Sequence, residues 1–155
     1  MELHNIDPVF DNHSEILILG SFPSVKSREM QFFYGHPQNR FWRVLAALKQ
    51  EPVPQTIDEK KAFLLRNKIA VWDVIQSCDI TGSSDSSIKN VVPNPLSRIF
   101  DAAPIRQVYT NGTTAHKLYQ KYIGSDAIRL PSTSPANAAY SLDRLIQEWR
   151  VILGK

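Results

Sequence analysis

Short aliphatic runs alternate with amphipathic stretches along the chain, the pattern of parallel strands joined by crossover helices. The first run, residues 15–20 (EILILG), is apolar almost throughout and ends in glycine, as expected of a strand covered on both faces. A loop follows, and then Phe41, Val44, Leu45 and Leu48 fall at helical spacing, with Asn39 positioned to cap the helix. Residues 56–59 (TIDE) have capping-box spacing and open a second helix reaching about Asn67. Residues 69–75 (IAVWDVI), 105–110 (IRQVYT) and 127–130 read as three further strands. Between the last two, Ala115, Leu118, Tyr119 and Tyr122 stripe a helix that Gly124 stops. Ser134 and Pro135 read as N-cap and first-turn proline of a final helix striped by Leu142, Leu145, Ile146, Trp149 and Ile152. Residues 76–96, rich in Ser, Asn, Asp and Pro, read as a long functional loop before a short helix at about 96–102. The expected fold is a three-layer α/β/α sandwich around a central four-stranded parallel sheet, in a single domain over 1–155.

Composition narrows the class. At 155 residues the chain has room for one full-sized core, and 43% hydrophobic residues suffice to fill it. No apolar run approaches the roughly 20 residues of a membrane span, and the start MELHNIDPVFDNH lacks the order of a signal peptide. The expectation is a soluble, cytoplasmic protein with no membrane association. Cys78 is the only cysteine, and no Cys/His cluster has zinc spacing, so neither a disulfide nor a metal or other cofactor is expected. The net charge of +3 is modest but uneven. Residues 86–130 hold Lys89, Arg98, Arg106, Lys117, Lys121 and Arg129 against Asp101 and Asp126, a local balance of +4. That suits a nucleic acid and equally suits an ordinary solvated surface.

In a parallel sheet of this kind the loops after the strands' carboxyl ends share one rim, where ligands bind. Here they are 21–38, 76–95, 111–114 and 131–137. Several carry amides or hydroxyls where helices begin, and helix N-termini favour phosphate.

Three strings on that rim carry a family resemblance: GSFPS (20–24) after the first strand, HPQNRFW (36–42), and LPSTSPANA (130–138) after the last. In order and spacing they resemble the uracil-DNA glycosylase superfamily over about the whole chain. HPQNRFW is similar to the mismatch-specific uracil-DNA glycosylases, whereas the other two look like the DNA-deoxyinosine (hypoxanthine-DNA) glycosylase branch. The resemblance implies a monofunctional DNA glycosylase of base-excision repair, acting as a monomer on double-stranded DNA. It would flip out a deaminated base, hypoxanthine or uracil, and hydrolyse its N-glycosidic bond.

Two departures shape the expected site. Relatives usually carry Asp or Asn directly before the first motif's proline, to hold the attacking water; this chain has Phe22. Many carry His or Asn before the last Pro-Ser; this chain has Leu130. Asn39 is therefore the candidate catalytic residue, although it also reads as a simple helix cap, and both roles can coexist. Hypoxanthine and uracil each present a ring N–H beside a carbonyl, which a side-chain amide can read in one bidentate contact. Asn111 is the candidate reader, and Phe22, Phe33 or Tyr34 is the candidate for stacking on the base. His36 is assigned to the base or a phosphate, Ser21, Ser24, Ser132, Thr133 and Ser134 to phosphates, and the stretch from Pro135 to Asn137 to a small wedge. Asp73 and Asp85 are carboxylate alternatives ranked below Asn39. Two other classes stay open: a non-catalytic nucleic-acid-binding module on the same fold, and a nucleoside or nucleotide hydrolase. The second lacks GxGxxG, GxxxxGK[ST] and GxSxG motifs in its favour.

Overall fold

The computed structural model describes residues 2–3, 6–82 and 84–154; the side chain of Asp85 lies outside the described set. Four parallel strands, β2 (Ile16–Gly20), β3 (Ile69–Asp73), β6 (Gln107–Asn111) and β7 (Ala127–Leu130), form a sheet in the order β3-β2-β6-β7. All four strands expected of the sheet are present. The register aligns Gly20 with Asp73, Leu19 with Thr110 and Asn111 with Leu130, so these residues mark one carboxyl-end rim. β2 and β3 are buried at every position, the outcome anticipated from their unbroken apolar runs. Val9 makes an antiparallel bridge to Val71 and so covers the outer edge of β3.

From β2 the chain moves outward through α1 (Val25–Met30), α2 (Phe41–Lys49) and α3 (Ile57–Arg66) to β3. From β6 it moves in the opposite direction through α5 (Thr113–Tyr122) to β7, and ends in α6 (Leu142–Trp149). Right-handed crossovers running in opposite directions lie on opposite faces of a sheet. The strand order reverses between β2 and β6, the point where such sheets open a ligand crevice. Thr56 caps α3 in a reciprocal capping box with Glu59, as its spacing foretold.

Two expectations change. The stretch read as a long loop contains β4 (Ile75–Asp79) and β5 (Lys89–Pro93), which with β1 (Glu2–Leu3) form an antiparallel sheet in the order β1-β4-β5. β4 follows β3 after the single residue Val74, so the apolar run 69–75 spans the end of one sheet and the start of another. Buried Asn94 joins them: its Nδ2 donates to the carbonyls of Asp73 (2.9 Å) and Ile75 (3.1 Å). The short helix, α4 (Ser97–Phe100), does follow. The second change is at the last helix, which starts at Leu142 with Ser141 as its cap. Ser134 and Pro135 lie in a turn-rich segment ahead of it. One hydrophobic core cluster fills the space under these elements, centred on Leu17, Ile18, Phe41, Leu45, Phe63 and Trp149.

Candidate active site

A cavity of about 410 Å³ opens at the reversal point, floored by Gly20 and Asp73 and walled by Phe22, Tyr34, Asn39 and Asn111. A second, of about 540 Å³, adjoins it across Ser21, Asn111, Ser132, Ser134 and Ala136 and runs along the start of α5. Gly20 is required at the floor. A Cβ there would come within 2.3 Å of the Asp73 carboxylate, which itself sits only 4% exposed.

The central feature is a hydrogen-bonded trio. Thr133, fully buried, donates its backbone N–H to Asn111 Oδ1 (3.0 Å) and receives Asn111 Nδ2 on its hydroxyl (3.0 Å). The same hydroxyl donates to Asn39 Oδ1 (2.8 Å), which also accepts the Phe41 N–H at the start of α2 (3.0 Å). The backbone donor fixes which end of the Asn39 amide is oxygen. Both of that oxygen's acceptor positions are used, and among the described residues Asn39 Nδ2 has no partner, so this side chain offers the cavity a donor. Thr133 occupies the paired O/N–H edge of the Asn111 amide, so the N–H and lone pair that remain point to opposite sides and Asn111 offers single contacts in place of the bidentate one expected. Asn39 therefore does bond the helix start, and it does so while facing the cavity.

Tyr34 stands out for three reasons. Its backbone φ is 52°, in the left-handed region that a bulky residue avoids without compensation. Its ring stacks on Phe41 with centroids 3.9 Å apart. Its hydroxyl is buried beside the Asn111 amide and the Asp73 carboxylate and makes no well-formed hydrogen bond among the described residues. Burial first, and the nearby Asp73 carboxylate second, push its ionisation far above the ordinary tyrosine value, so the hydroxyl stays protonated. Phe33 (2% exposed) and Phe22 (9%) also line the cavity but belong mostly to the core, and Arg28 lies over the Phe22 ring.

The last rim loop is held by Arg40. Its guanidinium donates to the backbone carbonyls of Thr133, Ser134 (2.9 Å), Asn137 (3.1 Å) and Tyr140, and its own N–H donates to Thr133 O (3.1 Å). Arg40 was not among the sequence candidates. The signal available was its position beside Asn39 in HPQNRFW.

Of the sequence candidates, Ser21, Phe22, Ser24, Phe33, Tyr34, Asn39, Asn111, Ser132, Thr133 and Ser134 converge on the first cavity. Asp73 joins them at the floor, in a more central position than its ranking implied. His36 and Pro135 line neither cavity; His36 Nδ1 instead accepts the Gln38 N–H (3.1 Å), and Pro135 is exposed, with Ala136 beside it facing both cavities. Thr133, expected at a phosphate, is buried with its hydroxyl committed to the two amides. Ser24 caps α1, while Ser132 and Ser134 accept the N–H groups of Ser134 and Ala136, so these hydroxyls shape turns. Leu130 is 2% exposed in the core and offers no polar group. Among the described residues no cluster of three or more His, Cys, Asp or Glu side chains is grouped as metal ligands would be, and no helix is long and apolar enough to cross a membrane.

Comparison with known proteins agrees with this architecture. The family model described as the uracil DNA glycosylase superfamily matches residues 8–152. A protein of Methanosarcina acetivorans named hypoxanthine DNA glycosylase is 36% identical over 148 residues, covering 93% of each chain. Another of that name from Methanosarcina barkeri is 36% identical, covering 88% of this chain and 89% of its own. A solution NMR structure from Methanosarcina acetivorans, provisionally assigned as a uracil DNA glycosylase, superposes with a TM-score of 0.81 at 34% identity, covering 95% of this chain and 93% of that one. With its rim geometry and its sequence in agreement over nearly its whole length, the chain belongs to the uracil DNA glycosylase superfamily and is a DNA glycosylase.

Proposed function

We propose that this enzyme excises hypoxanthine from deoxyinosine in double-stranded DNA, working as a monomer without a cofactor in base-excision repair. The observation that carries the reading is the Asn39–Thr133–Asn111 trio, two amides oriented by one buried threonine on the wall of a cavity that can admit a nucleobase. The names of the two Methanosarcina relatives favour hypoxanthine; uracil is the second base to test.

Extruding the nucleotide costs a few kcal/mol, least at a mispair, so a deaminated base is favoured before the pocket reads it. In the cavity Asn111 gives its remaining N–H to the base carbonyl, while the Tyr34 ring, backed by Phe41, lies against the base. Cleavage passes through a sugar with oxocarbenium character. A cation of that kind is captured by a weak nucleophile, so a water held by Asn39 Nδ2 needs no strong base to attack the anomeric carbon. The C–N bond breaks with its electron pair leaving on the base, the C–O bond forms, and the water's surplus proton passes to solvent, which returns one to the departing base. Losing one preorganised polar contact costs on the order of 100- to 1000-fold in rate. Asn39→Ala is expected to lose that much.

The test uses labelled duplexes carrying deoxyinosine, deoxyuridine or normal bases, incubated with enzyme and chelator and then treated with alkali to break abasic sites. Lesion-dependent breaks that Asn39→Ala abolishes are the expected result. Binding without breaks would leave a non-catalytic module, and cleavage of free nucleosides alone would point to a nucleoside hydrolase.

A further inference from the structure

Beside the two rim cavities a third trough of about 280 Å³ runs between β5 and α5, and nothing in the reaction described above uses it. Thr114 lines both this trough and the larger rim cavity, so the two depressions adjoin there. Lys89 stands on the β5 wall, Lys117 and Lys121 on the α5 wall, and Leu118 and Tyr122 contribute apolar surface between them. All three lysines are exposed, and no residue lining the trough is acidic.

The charges are arranged as well as numerous. Lys117 and Lys121 lie four residues apart, on one face of α5 and about 6 Å along its axis. Like charges at that spacing disfavour a helix. Relief would come from an acidic neighbour, but α5 (TTAHKLYQKY) contains none, and among the described residues none of the three lysines makes an ion pair. Lys121 does lie over the Tyr122 ring, 5.3 Å from its centroid, and Tyr122 is itself 37% exposed. The Asp79 carboxylate, opposite Lys89 across the β4–β5 pair and electrostatically coupled to it, is bonded by Asn90 and does not line the trough. Cations on both walls over a partly apolar floor, leading out of a base-sized cavity, match a nucleic-acid backbone better than a compact anion.

We infer that the Lys89/Lys117/Lys121 trough carries the phosphodiester backbone of DNA on one side of the lesion, extending the contact from the rim along α5. The inference rests on the proposed DNA-repair function for its orientation, and its test separates the two. Each phosphate neutralised contributes about 0.9 to the slope of log affinity against log salt. The variant K89Q/K117Q/K121Q is compared with K49Q/K61Q/K68Q, which removes the same charge from α2, α3 and the residue before β3. Binding of duplexes with and without deoxyinosine is followed by fluorescence anisotropy across a salt series. The trough variant is expected to flatten the slope by about 2 to 3 on both duplexes, and the control by less than 1. Shortening the duplex on one side of the lesion should erase the difference, and shortening the other side should preserve it. Single-turnover cleavage at saturating DNA should stay within about twofold. Equal changes in the two variants, a loss insensitive to flank length on both sides, or no duplex binding by the unaltered chain at low salt would overturn the inference. Were deoxyinosine never cleaved, the proposed function would fall, while the salt series would still decide the fate of the trough.

Discussion

At Tyr34 the enzyme carries a buried hydroxyl with no well-formed hydrogen bond among the described residues, on a backbone held at positive φ. Such a group is a cost of about 1–3 kcal/mol to the folded state, and strain of this sort collects at functional sites. Tyr34→Phe should therefore raise the melting temperature slightly or leave it unchanged while slowing base excision about tenfold or more. Thermal unfolding and single-turnover cleavage measured together check it; equal losses in both would make the hydroxyl structural. Thr133 makes the complementary case. Thr133→Val keeps the shape but strips the hydroxyl from both amides, removing the partner of Asn111 Nδ2 and leaving Asn39 held by the Phe41 N–H alone. It should lower the cleavage rate at saturating DNA by about 100-fold, whereas Thr133→Ser, which retains the oxygen, should recover most of that rate.

At the scale of elements, the arginine of HPQNRFW links α2 to the loop between β7 and α6 through carbonyls nearly 100 residues away in sequence. Trp149 fastens the same loop from the other end, its Nε1 donating to Pro131 O at 2.8 Å. Arg40→Ala should loosen this rim loop and raise KM for lesion duplex at least tenfold, with a smaller change in kcat; steady-state kinetics over a range of duplex concentrations would reveal the opposite pattern if Arg40 served the chemical step instead. These links also explain what could be read beforehand. β2 and β3 announced themselves because continuous apolar runs are demanded of strands buried on both faces, whereas β6 and the partly exposed β7 were legible from shorter apolar runs beside a helix stripe. β4 and β5 were not. Their burial is patchy, exposed at Gln76, Lys89, Asn90 and Val92, and a Ser-rich connection looks the same whether or not its flanks pair. Asn39, at the centre of HPQNRFW, was legible as a candidate, but the contacts of Arg40 and Thr133 depend on partners that only the folded chain brings together. The proposed start of α6 at Ser134 failed for a local reason: Pro135 can begin a helix, yet Arg40 draws the following carbonyls outward, and Ser141 supplies a better cap.

For the molecule as a whole, acid is the revealing perturbation. The Arg66 guanidinium, followed by the Asn67 amide, holds the Glu51 carboxyl below its ordinary value, and the capping-box N–H groups of Thr56 and Gln55 do the same for Glu59. Because both folded values are depressed, their stabilising contribution is present in full above the unfolded value of about 4.3 and is lost as pH falls through the lower folded values. Melting temperature should be flat across neutral pH and decline below about pH 4, and E51Q/E59Q should decline less steeply in the same titration. A variant that tracked the unaltered protein would assign the acid transition to other groups.

The junction at Val74 has a bearing on motion. Its N–H donates to Gly20 O (2.8 Å), and its carbonyl accepts from Asn94 (2.8 Å), so the pocket floor is stitched into two sheets at once. The opposite wall, at Ile80, Ser84 and Ser86, hangs from the turn joining β4 and β5, where Arg28 reaches across to the Gly82 carbonyl. Amide exchange should accordingly be slowest at the floor and fastest at that wall. An extruded nucleotide would then meet a rigid base plate and a compliant flank, so that the fit of the lesion is completed by one side of the pocket closing upon it.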